Sequence, residues 1–130
     1  MNRMTEMLRL DWAGRMVDIE YRWTGGPAAD SAVMVFLHEG LGSVSMWRDF
    51  PARLCARLGL RGLVYSRPAY GRSTPRAPGE RRQPDFLERQ ANEVLPALLS
   101  ALGIARPWLF GHSDGGSIAL LHAARHPQAL

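Results

Sequence analysis

Residues 108–116 read Trp108-Leu109-Phe110-Gly111-His112-Ser113-Asp114-Gly115-Gly116, and residues 117–125 continue as helix-forming sequence. A short apolar run, a serine with glycine two positions away on each side, and then a helix make up G-x-S-x-G in the context that gives it meaning: strand, sharp turn, helix. A serine hydroxyl is a weak nucleophile until a base takes its proton, so it has to project where base and substrate both reach it. A strained turn does this, and Gly111 and Gly115 are small enough to let the chain bend that tightly. The backbone amide of Asp114, at the helix start, is then expected to face a developing oxyanion, aided by the positive end of the helix dipole. A turn serine that merely caps the next helix would account for Ser113 but not for the paired glycines.

Working upstream, residues 32–37 (A-V-M-V-F-L) form a continuous apolar run too short for a typical helix, which reads as a strand buried on both faces. Residues 62–65 (G-L-V-Y) and 108–110 (W-L-F) read the same way. Helical patterns separate these strands. Phe50, Leu54 and Leu58 recur every four residues, with Pro51 in the first turn. Phe86, Val94, Leu95, Leu98, Leu99 and Leu102 mark a longer helix, opened by a capping-box pair Asp85 and Glu88, closed by Gly103, and kinked at Pro96. Residues 17–23 alternate, with Val17, Ile19, Tyr21 and Trp23 against Asp18, Glu20 and Arg22, the pattern of a half-buried strand. Residues 7–10 supply a short first strand, 11–15 its turn, and Gly25-Gly26-Pro27 the end of this region. The order predicts an α/β fold: a mostly parallel sheet of about five strands with three helices on its two faces. Residues 68–84 read as a surface loop.

Composition narrows the partners. The 130 residues suit one domain, with 46% hydrophobic residues and a formal net charge of +4. All 16 basic residues are Arg, scattered from Arg3 to Arg125, and the densest stretch, residues 67–82, lies in the Pro/Gly-rich loop. Without an aromatic stacking platform this reads as a solvated loop, and no nucleic-acid partner is expected. Cys55 is the only cysteine, which excludes an internal disulfide and a Cys-based zinc site; no metal and no cofactor are expected. The first residues lack the apolar core of a signal peptide, and no window approaches a membrane span, so the expectation is a cytoplasmic protein of a reducing compartment.

A second glycine-rich segment, His38-Glu39-Gly40-Leu41-Gly42-Ser43, follows the 32–37 strand. Beside the 111–115 turn it can offer another amide to the oxyanion, from either Gly40 or Leu41.

Three blocks together resemble the N-terminal half of a serine-type α/β-hydrolase. H-E-G-L-G is similar to that family's H-G-containing oxyanion loop, Ser66 to Ser73 (S-R-P-A-Y-G-R-S) resembles its D-x-P-G-x-G-x-S loop, and G-H-S-D-G-G is similar to its nucleophile elbow. The resemblance covers nearly all of residues 7–130. It implies a Ser113 acyl-enzyme acting on an ester, lactone, thioester or activated C–C bond of a small-molecule acyl substrate, with Asp114 and one of Gly40 or Leu41 forming the oxyanion hole. A Ser nucleophile points away from the family's epoxide hydrolases and haloalkane dehalogenases, which use Asp. The sequence departs from the family pattern at Glu39, where glycine is usual, at Ser66, where Asp is frequent, and at Ala69, where glycine is usual.

The family's triad runs Ser, acid, His. After Ser113 only Asp114, His122 and His126 titrate in a suitable range, and each is expected to lie out of reach; His38 is expected to be structural, and His112 precedes the serine on the turn. The expectation is therefore that residues 1–130 form the N-terminal part of one hydrolase domain, ending after the helix behind the elbow and inactive alone. The 108–110 strand would be left at an open sheet edge. The alternative is a non-catalytic ligand-binding or interaction module on the same fold. Trp47 and Tyr70, near the strand ends, suit either pocket lining or packing.

Overall fold

A computed structural model describes residues 5–25, 32–77, 79–80 and 83–129. Strands β1 (Glu6–Trp12) and β2 (Arg15–Gly25) form an antiparallel hairpin with Trp12 opposite Arg15. Its turn is only Ala13 and Gly14, with φ of 55° and 79°. Positive φ at both central residues suits the right-handed twist of paired strands, so the turn is tighter than residues 11–15 suggested. Strands β3 (Val33–Leu37), β4 (Arg61–Tyr65) and β5 (Trp108–Gly111) complete a sheet of order β1-β2-β4-β3-β5. β3 pairs parallel with both β4 and β5, and β2 joins β4 antiparallel, so the sheet is mixed, a parallel half carrying the hairpin at one side. Of the Gly-Gly-Pro signal, Gly25 ends β2, and residues 26–27 lie outside the described residues.

Helices cover both faces, as the uninterrupted apolar strands require. On one face Met34, Phe36 and Val64 pack with Cys55 of α1 (Phe50–Leu58). On the other, Val35, Leu37, Leu63 and Tyr65 pack with Leu95 and Leu98 of α3 (Leu95–Ala101) and Ile118 of α4 (Asp114–Arg125). β5 departs from the expected double burial, for Trp108 is 64% exposed. The strand lies at the sheet edge, where a flank has no neighbour among the described residues.

Both helical patterns shift in detail. In α1 the buried positions are Pro51 and Cys55, while Phe50 and Leu58 are exposed. Phe50 sits instead at the rim of an aromatic group with Trp47, Phe36 and Phe110. The longer rod comprises α2 (Phe86–Arg89), a π turn (Gln90–Val94) and α3. Asp85 takes the N-cap position, but its side chain makes no capping bond. The distortion expected at Pro96 appears in the preceding turn. A proline lacks the N–H for the carbonyl four residues back and crowds it, and the wider π turn relieves that crowding.

Residues 68–84 are not uniformly at the surface: Pro68 and Ser73 are buried. β4 pairs with β2 only from Tyr21 onward, which leaves amides of residues 18 and 20 without a strand partner on that side. The loop supplies one. The Glu20 N–H donates to Ser73 Oγ at 2.8 Å, the Asp18 N–H to Thr74 Oγ1 at 2.7 Å, and the Thr74 N–H returns to the Asp18 carbonyl at 2.8 Å. Arg67, at the start of the stretch read as solvated, is fully buried.

Candidate functional site

The loops leaving the carboxyl ends of β3, β4 and β5 meet at one end of the sheet. Ser113 stands between β5 and α4 with φ 56° and ψ −115°, exposed, and its side chain makes no capping bond. Such a backbone conformation costs on the order of 1–3 kcal/mol in a non-glycine residue and persists only where its surroundings enforce it. Here the enforcement is visible. The His112 N–H donates to the Leu37 carbonyl at 3.1 Å, and the Gly115 N–H to the His112 carbonyl at 3.0 Å. A Cβ on Gly115 would collide with the Leu37 carbonyl, and one on Gly111 with the Gly115 carbonyl. Both glycines are thus demanded by close approach of backbone to backbone. No hydrogen bond engages Ser113 Oγ among the described residues.

The 38–43 segment lies against this turn. An added Cβ on Gly40 would come within 2.9 Å of Asp114 Oδ2. A tight turn runs from Glu39 to Gly42, closed by the Gly42 N–H on the Glu39 carbonyl at 3.0 Å, and Leu41 at its corner is 87% exposed. The Glu39 carbonyl accepts two further bonds, from His38 Nδ1 at 2.7 Å and Arg67 Nη2 at 3.3 Å. In a trans peptide the C=O and N–H point in opposite directions. The Gly40 N–H is therefore directed away from His38 and Arg67.

His38 is buried and braces the turn with both ring nitrogens. Nδ1–H donates to the Glu39 carbonyl, and Nε2 accepts the Arg67 N–H at 3.0 Å, which fixes a neutral tautomer. Burial, with the nearby Arg67 guanidinium, holds its pKa down to about 4. Arg67 Nη1 donates to the His38 carbonyl at 3.1 Å, and its guanidinium lies 4.8 Å over the Tyr70 ring. Tyr70 also packs edge-on against His38. Trp47, by contrast, lines a cleft of about 240 Å³ with His38, Glu39, Ser43, Met46 and His112.

The departure at Ser66 has a structural counterpart that the sequence reading missed. Glu20, placed on the polar face of a half-buried strand, is only 5% exposed. Its Oε1 accepts from Ser66 Oγ at 2.9 Å and from the Arg72 N–H at 3.0 Å, while Ser66 Oγ accepts the Val44 N–H at 2.8 Å. A carboxylate is present at this junction, delivered from the neighbouring strand. The one available signal was Ser66 itself, a shorter neutral side chain in an acid's place. Ala69 has φ 78°, the left-handed conformation that explains why glycine suits this position.

The remaining histidines lie elsewhere. His122 is buried with Nδ1 bonded to the Ala91 carbonyl at 2.9 Å, and burial lowers its pKa. His126 stacks on it and reaches Asn92 Oδ1 at 3.3 Å. Among the described residues no group of three His, Cys, Asp or Glu side chains is placed to hold a metal, and no helix is long and apolar enough to cross a membrane.

Comparison with known proteins agrees with this architecture. The family profile described as alpha/beta hydrolase fold matches residues 32–130. A Pantoea ananatis protein named "Putative carbamate hydrolase RutD" is 35% identical over 111 residues, covering 85% of this chain and 38% of its own length. A Caulobacter protein of the same name is 31% identical over 107 residues, covering 82% of this chain and 37% of its own length. Among solved structures, a "probable hydrolytic enzyme" of Pseudomonas aeruginosa superposes with TM-score 0.82 at 22% identity, over 98% of this chain and 39% of that one. An epoxide hydrolase of Vigna radiata superposes with TM-score 0.74 at 19% identity, over 97% of this chain and 37% of that one. At such identities the structures share the fold alone. The chain spans less than two fifths of the length of the curated relatives it matches.

Proposed function

The chain belongs to the α/β-hydrolase fold family, and from that premise we propose that it carries the nucleophile and oxyanion hole of a serine hydrolase acting on a small-molecule acyl substrate. The substrate class is an ester, lactone, thioester or activated C–C bond; the name of the curated relatives adds carbamates, which present the same acyl carbon. The observation that carries the reading is Ser113: exposed, held at φ 56° by two glycines that tolerate no Cβ, its hydroxyl free of any hydrogen bond among the described residues.

In this reading Ser113 Oγ gives up its proton to a base and attacks the acyl carbon, and the carbonyl oxygen becomes an oxyanion. The Asp114 amide at the start of α4 and the Gly40 amide donate to it. Gly40 is favoured over Leu41 because the threefold tie on the Glu39 carbonyl directs the Gly40 N–H to the side away from Arg67. Collapse of the tetrahedral species expels the leaving group, and water then releases the acyl group from Ser113. His38, His122 and His126 are engaged elsewhere, and in this family the acid and the His follow the serine in that order, so the base is expected from outside the described residues. Without it, only the small residual rate of an oxyanion hole is expected of these 130 residues.

A fluorophosphonate probe tests this in a polypeptide extended to the length of the relatives. Covalent labelling that maps to Ser113, lost in Ser113→Ala, is the expected outcome. A folded, extended polypeptide that resists the probe, or one labelled equally after Ser113→Ala, overturns the proposal.

A further inference from the structure

Glu39 lines the cleft beside the elbow, and among the described residues its carboxylate has no partner. Glu39 is fixed at its backbone by three donors on its carbonyl, and its side chain folds across Gly42, where an added Cβ would meet Glu39 Oε1 and His38 Cβ. Among the described residues nothing bonds the Glu39 carboxylate. Arg67, the guanidinium against this turn, directs Nη1 and Nη2 to the carbonyls of His38 and Glu39. The other residues that line the cleft are His38, Ser43, Met46, Trp47 and His112. Among the described residues no arginine lines it.

This charge sits over Gly42, on the same turn as the Gly40 amide that would receive an oxyanion. The Asp114 carboxylate, against Gly40, adds a second negative charge there. Fixed negative charge next to a developing oxyanion opposes the reaction, more strongly in a cleft than in bulk water. A substrate that carries its own cation removes the penalty. An ammonium group in this cleft would give Glu39 a donor, with Trp47 lining the same cleft.

We infer that Glu39 is a specificity-determining residue that selects acyl substrates bearing a protonated amine, seated in the cleft between its carboxylate and the Trp47 indole. The inference rests on the Ser113 reading for the reaction, though not for the binding.

Two 4-nitrophenyl esters that differ only in ammonium against methyl, the 3-aminopropanoate and the butanoate, test it in the extended polypeptide. The amino ester is expected to show kcat/KM higher on the order of tenfold, the worth of one partly desolvated charge-assisted hydrogen bond. Glu39→Gln keeps the shape and removes the charge, so the ratio should fall to about one, with the butanoate hydrolysed faster than by wild type because the charge opposing its oxyanion is gone. A wild-type ratio near one, or a ratio that survives Glu39→Gln, overturns the inference. Hydrolysis of both esters that persists in Ser113→Ala overturns the nucleophile instead. Binding is read separately, in Ser113→Ala, from the Trp47 indole NMR resonance titrated with propylammonium and with 1-propanol. A shift with the cation, absent with the alcohol and absent after Glu39→Gln, supports the site. Equal shifts from both, or a cation shift that Glu39→Gln leaves in place, overturn it whatever the esters show.

Discussion

The loops after β4 and after β5 leave the same end of the sheet, and each contains a non-glycine residue at positive φ, Ala69 at 78° and Ser113 at 56°. Their polar groups are treated in opposite ways. After β4, Ser66, Arg67 and Ser73 are buried, with bonds to Glu20, His38, Glu39 and Val44. After β5, the Ser113 hydroxyl is exposed and unpaired among the described residues, and what is tightly fitted is the backbone around it. A buried polar group has to find a partner or destabilise the fold, whereas one meant for substrate has to be left without. One loop is therefore a brace, and in the proposed function the other holds a group in reserve.

The contrast is broken most severely at Gly115. Valine there drives its Cβ into the Leu37 carbonyl, a clash no rotamer relieves, and should destabilise the fold by more than about 3 kcal/mol. Urea denaturation measures this, and a midpoint near wild type would show that the elbow is not built by close approach.

The brace responds to pH. His38 has its pKa lowered to about 4, so between its ordinary value near 6.5 and 4 the unfolded chain binds the proton that the folded chain refuses. Stability is then present near neutrality and lost as pH falls through that window, by about 3 kcal/mol in total. Imidazole nitrogen shifts should show His38 neutral until about pH 4; titration near 6.5 would contradict the bonds assigned to it.

Glu20→Ala should cost roughly 2 kcal/mol, because Ser66 Oγ and the Arg72 N–H lose a buried carboxylate together. Adding Ser66→Asp should recover part of the loss in the same denaturation series. Failure to recover would mean that Glu20 does not stand in for an acid at position 66.

The smallest effect compares the two strained residues. Ala69→Gly relieves the left-handed strain, less the entropy glycine returns to the unfolded chain, and should stabilise by about 0.5–1 kcal/mol. Ser113→Gly should stabilise by a similar amount while abolishing probe labelling, which separates strain held for chemistry from strain that is incidental.

Much of the frame was legible in the residues. The apolar runs of β3 and β4 declare burial on both faces, and G-x-S-x-G between a strand and a helix declares a sharp turn, because both signals are local: a period along the chain, and glycines at fixed spacing. The details that misled were set by neighbours distant in sequence. The stripe of α1 turned toward Pro51 and Cys55 because the aromatic cluster holds Phe50 at its rim. Trp108, apolar like the rest of its strand, is exposed because β5 lies at an edge.

From sequence alone came the order of strands and helices, the serine and its glycines, and the residues at which this chain departs from its family. Tertiary structure alone decided that Glu20 reaches Ser66 across 46 residues, that Arg67 is buried against the backbone of His38 and Glu39, and which way the Gly40 amide is directed. The division has a physical cause. Hydrophobic period and backbone sterics act over a few residues and leave a mark in the string, whereas a buried polar group takes whatever partner packing brings to it, and that partner has no fixed place in the chain.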